Sequence, residues 1–393
     1  RAIARRDFLK LTGLGVLGLL AGRAAGPSAG LPQAAGAPGP RTISLAATDG
    51  FISLPGRADP LLVFGFIEVP NTMSIADQIR TYKGKVQMTA PTIAVDTGQE
   101  VYLKLSNLGF VTRPDLDDSH TVHWHGFRNP VSVFDGVPEA SIAVPPGRVF
   151  PYFYRPRDAG TYMYHCHFED VEHVQMGMNG IVYVRPALGA KFAYEHASTG
   201  FDREFALMLN EIDTRPHDNL LAIQEFLWTT YAPQYFIING RAYPDTVKVN
   251  GHPDLPSQPI SSLIQVNGGD RVLLRVANLG YQRHSLQLPG IRMRVVGKDA
   301  TLLRRGATDL SYRTSTITLG PGEAVDVLFT APAFDPGRAS TDGRGVHNRY
   351  LLRSRDIRAL RNPGRRGLGG MATEVRVYRD PLPPQTEANE TYV

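Results

Sequence analysis

Apolar and polar residues alternate in short stretches along most of the chain. In residues 92–107 the alternation continues on both sides of a turn at Gly98, which predicts a half-buried pair of β-strands. Similar stretches, separated by Pro and Gly turns, continue to about Arg185. This pattern is typical of an all-β sandwich or barrel. Within residues 188–235, only residues 220–228 have a helical pattern.

The strand pattern occurs twice. Residues 92–109 match residues 263–280, and both end in Asn-Leu-Gly, at an offset of 171 residues. A second match relates residues 142–147 to residues 317–322, at an offset of 175. Two such matches in the same order predict duplicated domains. We therefore expect an all-β protein of two tandem Greek-key β-sandwich domains. The predicted segments are residues 41–187 and 236–380 for the domains, 188–235 for the connection and 381–393 for a tail.

The composition fits a globular protein and excludes one class of partner. The 393 residues are 42% hydrophobic and 20% charged, with a net charge of +5. The positive charge comes from scattered arginines and not from a basic run, so we expect no nucleic-acid binding. Because the chain has a single cysteine, it has no internal disulfide.

The first 40 residues predict export. Arg5 and Arg6 precede an apolar run at residues 11–21, and residues 26–40 are rich in Gly, Pro and Ala. The apolar run is short for a spanning helix, which indicates a twin-arginine signal followed by a linker, with an uncleaved anchor as the alternative. We therefore expect a periplasmic or extracellular protein.

The only cysteine lies in a cluster of metal-binding residue types. Cys166 stands between His165 and His167, and His173 and Met178 follow. Six of the eleven histidines fall in this window and in a second one, residues 120–125. A buried inert thiol is the alternative interpretation. Two His, one Cys and a weak axial Met favour copper.

The spacing sorts these side chains into two groups, because neighbouring side chains of a strand point to opposite faces. The first predicted group is a mononuclear site of Cys166, His120, His173 and Met178. The second is an all-imidazole site of His123, His125, His165 and His167. Cys166 would connect the two groups through its histidine neighbours and give electrons a short path.

The second sequence copy retains the strands but not these ligands. The residues aligned with the four imidazole positions are Gln287, Pro289, Arg353 and Arg355. We therefore expect the second domain to bind no copper. We interpret the remaining His284 and His347 as ordinary polar residues.

The motifs His-x-x-His-x-His and His-Cys-His, with the downstream His and Gly-Met, resemble the multicopper oxidases of the cupredoxin superfamily. The resemblance covers residues 41–380. The spacing of five residues between His167 and His173 is similar to that of two-domain laccase-like members. The resemblance implies cupredoxin domains and type-1 copper at His120, Cys166, His173 and Met178. It also implies type-2 copper at His123 and a type-3 pair at His125, His165 and His167. Asp135 resembles a family acid that relays protons, although it also fits an ordinary turn residue.

The resemblance is incomplete at the second site. A trinuclear cluster in this family takes eight histidines, and this chain offers four. Three explanations stay open: a further domain, another chain that supplies the other half, or a smaller site. Two-domain relatives imply a homotrimer, but a trimer of this chain alone would stay short of ligands.

The expected function is that of an exported oxidoreductase that passes single electrons from type-1 copper to oxygen. The electron donor would be a small molecule, such as a phenol, or a metal ion. One alternative is a copper nitrite reductase-like enzyme, in which His125 and His165 hold one catalytic copper; His123 and His167 argue against it. The other alternative is an electron-transfer or copper-binding protein that uses only the type-1 site.

Overall fold

A computed structural model describes residues 38–129 and 131–393. The predicted signal segment therefore lies outside the described residues, except for residues 38–40, which precede the first strand. No helix of the described part has the length and apolar character needed to span a membrane. Strands predominate over helices, as predicted, and they form β-sandwiches.

The first sandwich contains two four-stranded sheets, ordered β2-β1-β4-β6 and β3-β8-β7-β5. Its strands are β1 Arg41–Ile52, β2 Leu61–Glu68, β3 Ile93–Asp96, β4 Val101–Asn107, β5 His123–His125, β6 Val149–Tyr154, β7 Gly160–His165 and β8 Asn179–Arg185. Two helices accompany them, α1 at Ile75–Tyr82 and α2 at Asp170–Met176. Helix α1 begins where the Ser74 hydroxyl accepts the backbone N–H of Asp77.

The second sandwich is larger. One sheet has the order β10-β9-β12-β20-β14-β15, with β18 beside β14, and the other has the order β11-β23-β22-β13-β19, with β21 beside β22. A small β16-β17 hairpin lies apart from both. The elements after β8 are β9 Arg203–Ile212, α3 Thr214–Leu221, β10 Tyr235–Ile238, β11 Ile264–Asn267, β12 Arg271–Asn278, β13 His284–Gln287, β14 Met293–Lys298, β15 Thr301–Leu302, β16 Arg304–Arg305, β17 Thr308–Asp309, β18 Tyr312–Thr314, β19 Thr316–Leu319, β20 Ala324–Thr330, β21 Ala339–Thr341, β22 Val346–Ser354 and β23 Ala372–Tyr378.

The repeated sequence corresponds to repeated structure. The strands β3 and β4 of the first copy recur as β11 and β12 at the aligned positions. The predicted pairing of β3 with β4 is wrong, however. Strand β3 pairs in parallel with β8, whereas β4 pairs with β1 and β6. The turn at Gly98 carries the chain from one sheet to the facing sheet, so both strands alternate because both bury one face in the same core.

The predicted limits of the second domain and its helix are corrected in three places. Strand β9 lies inside the predicted connection, yet it pairs in parallel with β12 as β1 does with β4. The helix there is α3, which begins at Thr214, before the predicted residues 220–228, and overlaps them only at residues 220–221. The predicted tail packs on the second sandwich, since the Asn389 side chain accepts the N–H of Ala206 at 2.7 Å. These long-range pairings leave no periodic signal in the local sequence.

A buried polar network joins the two sandwiches. The Arg275 side chain, fully buried on β12, donates to Glu204 at 3.1 Å and to Thr161 of β7 at 3.3 Å. The Thr161 hydroxyl also donates to Asp326 of β20 at 2.6 Å. A buried charge is tolerated only when it is paired in this way. The network therefore fixes the first sandwich, which carries the predicted ligands, against the second.

We predict that Arg275→Ala destabilises the protein by about 3–5 kcal/mol, because it leaves Asp326 buried without a cation and Glu204 with only the 3.4 Å contact to Arg185. Urea unfolding of the metal-free protein measures this free energy. The matched control is Arg292→Ala, at an exposed position of the same sandwich, which should change the free energy of unfolding by less than about 0.5 kcal/mol. Equal effects of the two substitutions would contradict the role given to the network.

Candidate metal centre

The pairing of β5 with β7 brings the two sequence windows together. In this antiparallel pair His123 lies opposite His165, and Trp124 lies opposite Tyr164. Cys166 follows His165 directly and points to the other side of the sheet. The predicted sorting of the ligands into two groups therefore agrees with the register of the strands.

The first group contains three buried residues, His120, Cys166 and His173. Nδ1 of His173 lies 3.3 Å from Sγ of Cys166, and Nδ1 of His120 lies 3.8 Å from it. One ligand atom from each residue lies within 4.8 Å of the other two. Nε2 of both histidines is buried and makes no hydrogen bond within the described part of the chain. Two imidazoles and a thiolate in this arrangement fit a trigonal copper site.

Backbone hydrogen bonds place Met178 beside this group. The N–H of Cys166 donates to the carbonyl of Met178 at 3.1 Å, and the N–H of Met178 donates to that of His173 at 3.0 Å. The Met178 side chain is buried in the core of the first sandwich. Helix α2 supplies His173, and this short helix forms most of the segment between His167 and Met178. The backbone of Met178 is thus tied to Cys166 and His173, and the axial role of its sulfur stays a prediction.

The charges around Cys166 act on the two histidines in opposite ways. Burial lowers the pKa of His173, but the charge of Cys166 and the carboxylate of Asp118 outweigh burial and raise this pKa to about 10. Burial, together with His173, lowers the pKa of His120 well below its usual value. In the metal-free protein His173 therefore carries a proton, which a bound metal ion must replace.

The second group contains the four histidines on the other side of the sheet. Ligand atoms of His123, His125 and His165 lie within 4.8 Å of one another. His167 is not part of this closest set, and its ring centre lies 5.2 Å from that of His123 and 5.5 Å from that of His165. The structure thus brings three of the predicted residues into ligand range and leaves the fourth next to them.

Hydrogen bonds select which ring nitrogen is free in two of these histidines. Nδ1 of His123 lies 2.6 Å from the carbonyl oxygen of Asp135, and Nδ1 of His165 lies 2.8 Å from that of Cys166. Since a carbonyl only accepts, each Nδ1 carries the hydrogen and each Nε2 keeps its lone pair. Burial lowers the pKa of His123, of His125 and of His165, the last to about 3. These three imidazoles are therefore neutral at pH 7 and able to bind a metal.

The second sandwich forms the opposite wall of this cluster. A cavity of about 330 Å³ lies between the four histidines and the loops at residues 279–281 and 321–322. Among the described residues lining it, the second sandwich contributes Leu279, Gly280, Tyr281, Pro321 and Gly322 and no histidine. The wall supplied by the same chain therefore does not provide the missing imidazoles.

The second sandwich repeats the register of the first with other side chains. Gln287 pairs with Arg353 as His123 pairs with His165. His284 takes the position of His120, where it is buried and lies 2.6 Å from the carboxylate of Glu211. His347 lies 3.3 Å from the carbonyl of Gly345. Both histidines have ordinary polar partners, as the sequence predicts.

Two acids adjoin the two groups. Asp135, predicted from its turn, has a carboxylate oxygen 3.5 Å from Nδ1 of His123. Asp118 was missed by the sequence analysis, although it lies two residues before His120, and its carboxylate is 3.6 Å from Nε2 of His173. Gly136 explains the tight turn after Asp135, because a Cβ there would lie 2.3 Å from the carbonyl oxygen of Val122.

The chain matches known families at both sandwiches. Family models described as "Multicopper oxidase" match residues 69–188 and residues 215–338. Laccase-12 of Arabidopsis thaliana is 29% identical over 249 residues, covering 61% of this chain and 39% of that protein. The chain spans about two fifths of the length of such curated relatives.

Solved structures show the same fold at low sequence identity. A blue copper oxidase from Nitrosomonas europaea superposes with a TM-score of 0.64 at 22% identity, over 86% of this chain and 85% of that one. A copper nitrite reductase from Nitrosomonas europaea superposes with a TM-score of 0.59 at 18% identity, over 90% of this chain and 98% of that one.

We predict that the copper-loaded chain has an intense visible absorption band from the bond between copper(II) and the Cys166 thiolate. Cys166→Ser should abolish the band, because the sulfur that donates charge to the metal is removed. Absorption spectra at matched copper content measure this. Asn179→Ser, near Met178 but without a ligand atom in either group, is the control and should keep the band. A coloured Cys166→Ser protein would contradict the assignment.

We also predict a pH effect on the metal-free protein from His165. Because its folded pKa is lowered to about 3, the unfolded chain takes up the proton first as the pH falls. The stability that this group contributes is present above pH 6.5 and is lost as the pH falls towards 3. Because the pKa of His173 is raised, its contribution to stability changes with pH in the opposite direction. The test therefore compares the pH dependence of stability between the variants and the unmutated protein. Between pH 8 and pH 5, the urea midpoint should fall less in His165→Gln than in the unmutated protein, while His252→Gln retains the full decrease.

Proposed function

This chain belongs to the multicopper oxidase family, and on that premise we propose that it is a laccase-like copper oxidoreductase that passes single electrons from a donor to oxygen. The observation that carries the proposal is the position of Cys166 between two separate ligand groups. Copper, when bound, supplies the one-electron redox chemistry. The chain's residues hold the metal, select nitrogen lone pairs and connect the two groups.

The first group would hold type-1 copper, with His120, Cys166 and His173 as strong ligands and Met178 as the weak axial one. Its support is the convergence of two Nδ1 atoms on Sγ in a buried, apolar setting. Burial keeps water away from the sulfur and limits ligand movement between oxidation states. The same group alone would serve an electron carrier, which is the alternative function if the second site binds no copper.

The second group would hold the copper ions at which oxygen is reduced. By family analogy, His123 would bind type-2 copper and His125, His165 and His167 the type-3 pair. His165 is bonded to Cys166 through the backbone, and its Nδ1–H donates to the Cys166 carbonyl. Both connections support electron transfer between the groups. Asp135, beside His123, would hold or release a proton at the cluster.

A nitrite reductase-like reaction is the second candidate. It is favoured by the closeness of His125 and His165, which would hold a single copper ion, whereas His123 in the same set argues against it. An added His167 beside them and the match to multicopper oxidase models argue for oxygen as the acceptor. Nitrite turnover compared with oxygen uptake by the same preparation distinguishes the two.

A full trinuclear cluster at the second site would need ligands from outside the described residues. The wall supplied by the second sandwich has no histidine, and Gln287 and Arg353 occupy the aligned positions. We propose that a further domain, a partner chain or a trimeric arrangement covers the cluster. We also propose export to the periplasm or cell exterior, supported by Arg5 and Arg6 and the apolar run that follows them.

We predict that the isolated chain binds type-1 copper fully, binds less than a full complement at the second site and reduces oxygen slowly. His123→Ala combined with His167→Ala should leave the visible band nearly unchanged and remove the residual oxygen uptake, since only the second group is changed. Copper analysis, absorption and an oxygen electrode measure the three quantities. Rapid oxygen reduction by the unmutated chain alone would show that unidentified ligands complete the cluster.

A further inference from the structure

Gly322 brings the second sandwich against the second ligand group. It lies in the wall of the cavity that contains the four histidines, and its backbone has a φ of +77°. A Cβ built on it would meet the His125 ring, at 2.9 Å from Nε2, 3.2 Å from Cε1 and 4.0 Å from Cδ2. Since non-bonded heavy atoms pack best about 3.5–4.0 Å apart, a side chain at this position would displace the imidazole.

The same turn occurs in the first sandwich without this contact. Gly147 is the residue aligned with Gly322, and its φ is +75°. The N–H of Gly147 donates to the carbonyl of Asn107 at 2.8 Å, and that of Gly322 donates to the carbonyl of Asn278 at 2.9 Å. A Cβ on Gly147 would meet no heavy atom of the described residues within 4 Å, apart from its chain neighbours. The backbone therefore favours glycine equally at both positions, and only Gly322 has an imidazole in front of it.

The position of His125 depends on packing more than that of its neighbours. Carbonyl oxygens accept hydrogen bonds from the rings of His123 and His165 and fix their orientation, whereas the described residues supply no such bond to His125. The ring centre of His125 lies 6.0 Å from that of His123 and 5.7 Å from that of His165. A metal-binding histidine usually needs a partner that orients its ring. At His125 the turn around Gly322 takes this place by contact.

We infer that Gly322 is a positioning residue for the second ligand group. It allows the second sandwich to pack against His125 and leaves free the space at Nε2, where a bound metal ion lies about 2 Å from an imidazole nitrogen. A methyl group in that space would turn the ring away from the position that it shares with His123 and His165. The inference rests on the proposed function, because that function makes His125 a ligand. The second sandwich thus shapes the metal centre, although no histidine of it lines the described cavity.

The first experiment tests the contact in the metal-free protein. With ¹⁵N-labelled histidine, the NMR signals of the His125 ring are assigned by their loss in His125→Gln. Gly322→Ala should shift these signals, because the added methyl group displaces the ring. Gly147→Ala adds the same group to the same turn and should leave them unchanged. The signals of His284 and His347, both buried in the second sandwich, report that the fold is retained. Unchanged His125 signals in Gly322→Ala, or equal shifts in both variants, overturn the inference.

The second experiment measures copper at each group during titration with copper(II). The visible band counts copper at the first group, and elemental analysis counts the total, so the difference is the copper at the second group. We expect this copper to bind about tenfold more weakly in Gly322→Ala, the effect typical when the support of a metal ligand is lost. The band should be unchanged in both glycine variants, and Gly147→Ala should retain the copper of the second group. Equal copper binding at the second group in Gly322→Ala and the unmutated chain contradicts the inference.

Two further outcomes separate this inference from the proposed function and from folding. An unmutated chain with no copper beyond that of the visible band contradicts the proposed second site, and the NMR comparison then still decides whether Gly322 positions His125. Should Gly322→Ala fail to fold, combining it with His125→Ala removes the ring that the methyl group meets. This combination should fold as Gly147→Ala combined with His125→Ala does. A combination that stays unfolded shows damage to the turn itself and overturns the role given to the contact.

Discussion

The antiparallel pairing of β5 with β7 is the constraint on which both ligand groups depend. It sets His123 opposite His165 and turns Cys166 to the other side of the sheet. Trp124 makes this register hard to change, because it is fully buried and stacks on Tyr154 with ring centres 4.1 Å apart. A slip by one residue would expose this indole and bury the neighbouring histidines. The packing of the core therefore maintains the geometry of the metal centre.

The second sandwich has the same backbone arrangement as the first but lacks the candidate metal ligands. The N–H of Ser354 donates to the carbonyl of Met371, as that of Cys166 does to Met178. The backbone is thus conserved between the two halves of one chain at the positions where the side chains differ most. Glu211 has become the polar centre there, since its carboxylate binds His284. The same β-sandwich backbone occurs with and without the candidate metal ligands, so function lies in the residues placed on it.

The second sandwich nevertheless contributes to the metal centre through its contacts with α2. The Tyr281 hydroxyl donates to the carbonyl of Val171, and the Gln175 amide lies 3.4 Å from the carbonyl of Glu211. Helix α2 has only seven residues and would be marginal in isolation. These contacts hold it, and with it His173, in a fixed position. Ligands held by such supporting contacts are expected to keep their geometry when the metal changes its charge.

The sequence by itself determined the strands, the duplication and the two ligand groups, because alternation and the spacing around Cys166 are local properties of the chain. It did not determine that β3 and β4 belong to facing sheets, or that β9 and Asn389 pack on the second sandwich. The contact of Tyr281 with α2 has no signal in the sequence either. The position of Asp118 two residues before His120 was the sole sequence signal that it lies near a ligand group. These facts depend on residues far apart in sequence, and only the tertiary structure brings them together, since pairing between distant strands leaves no periodic trace in either one.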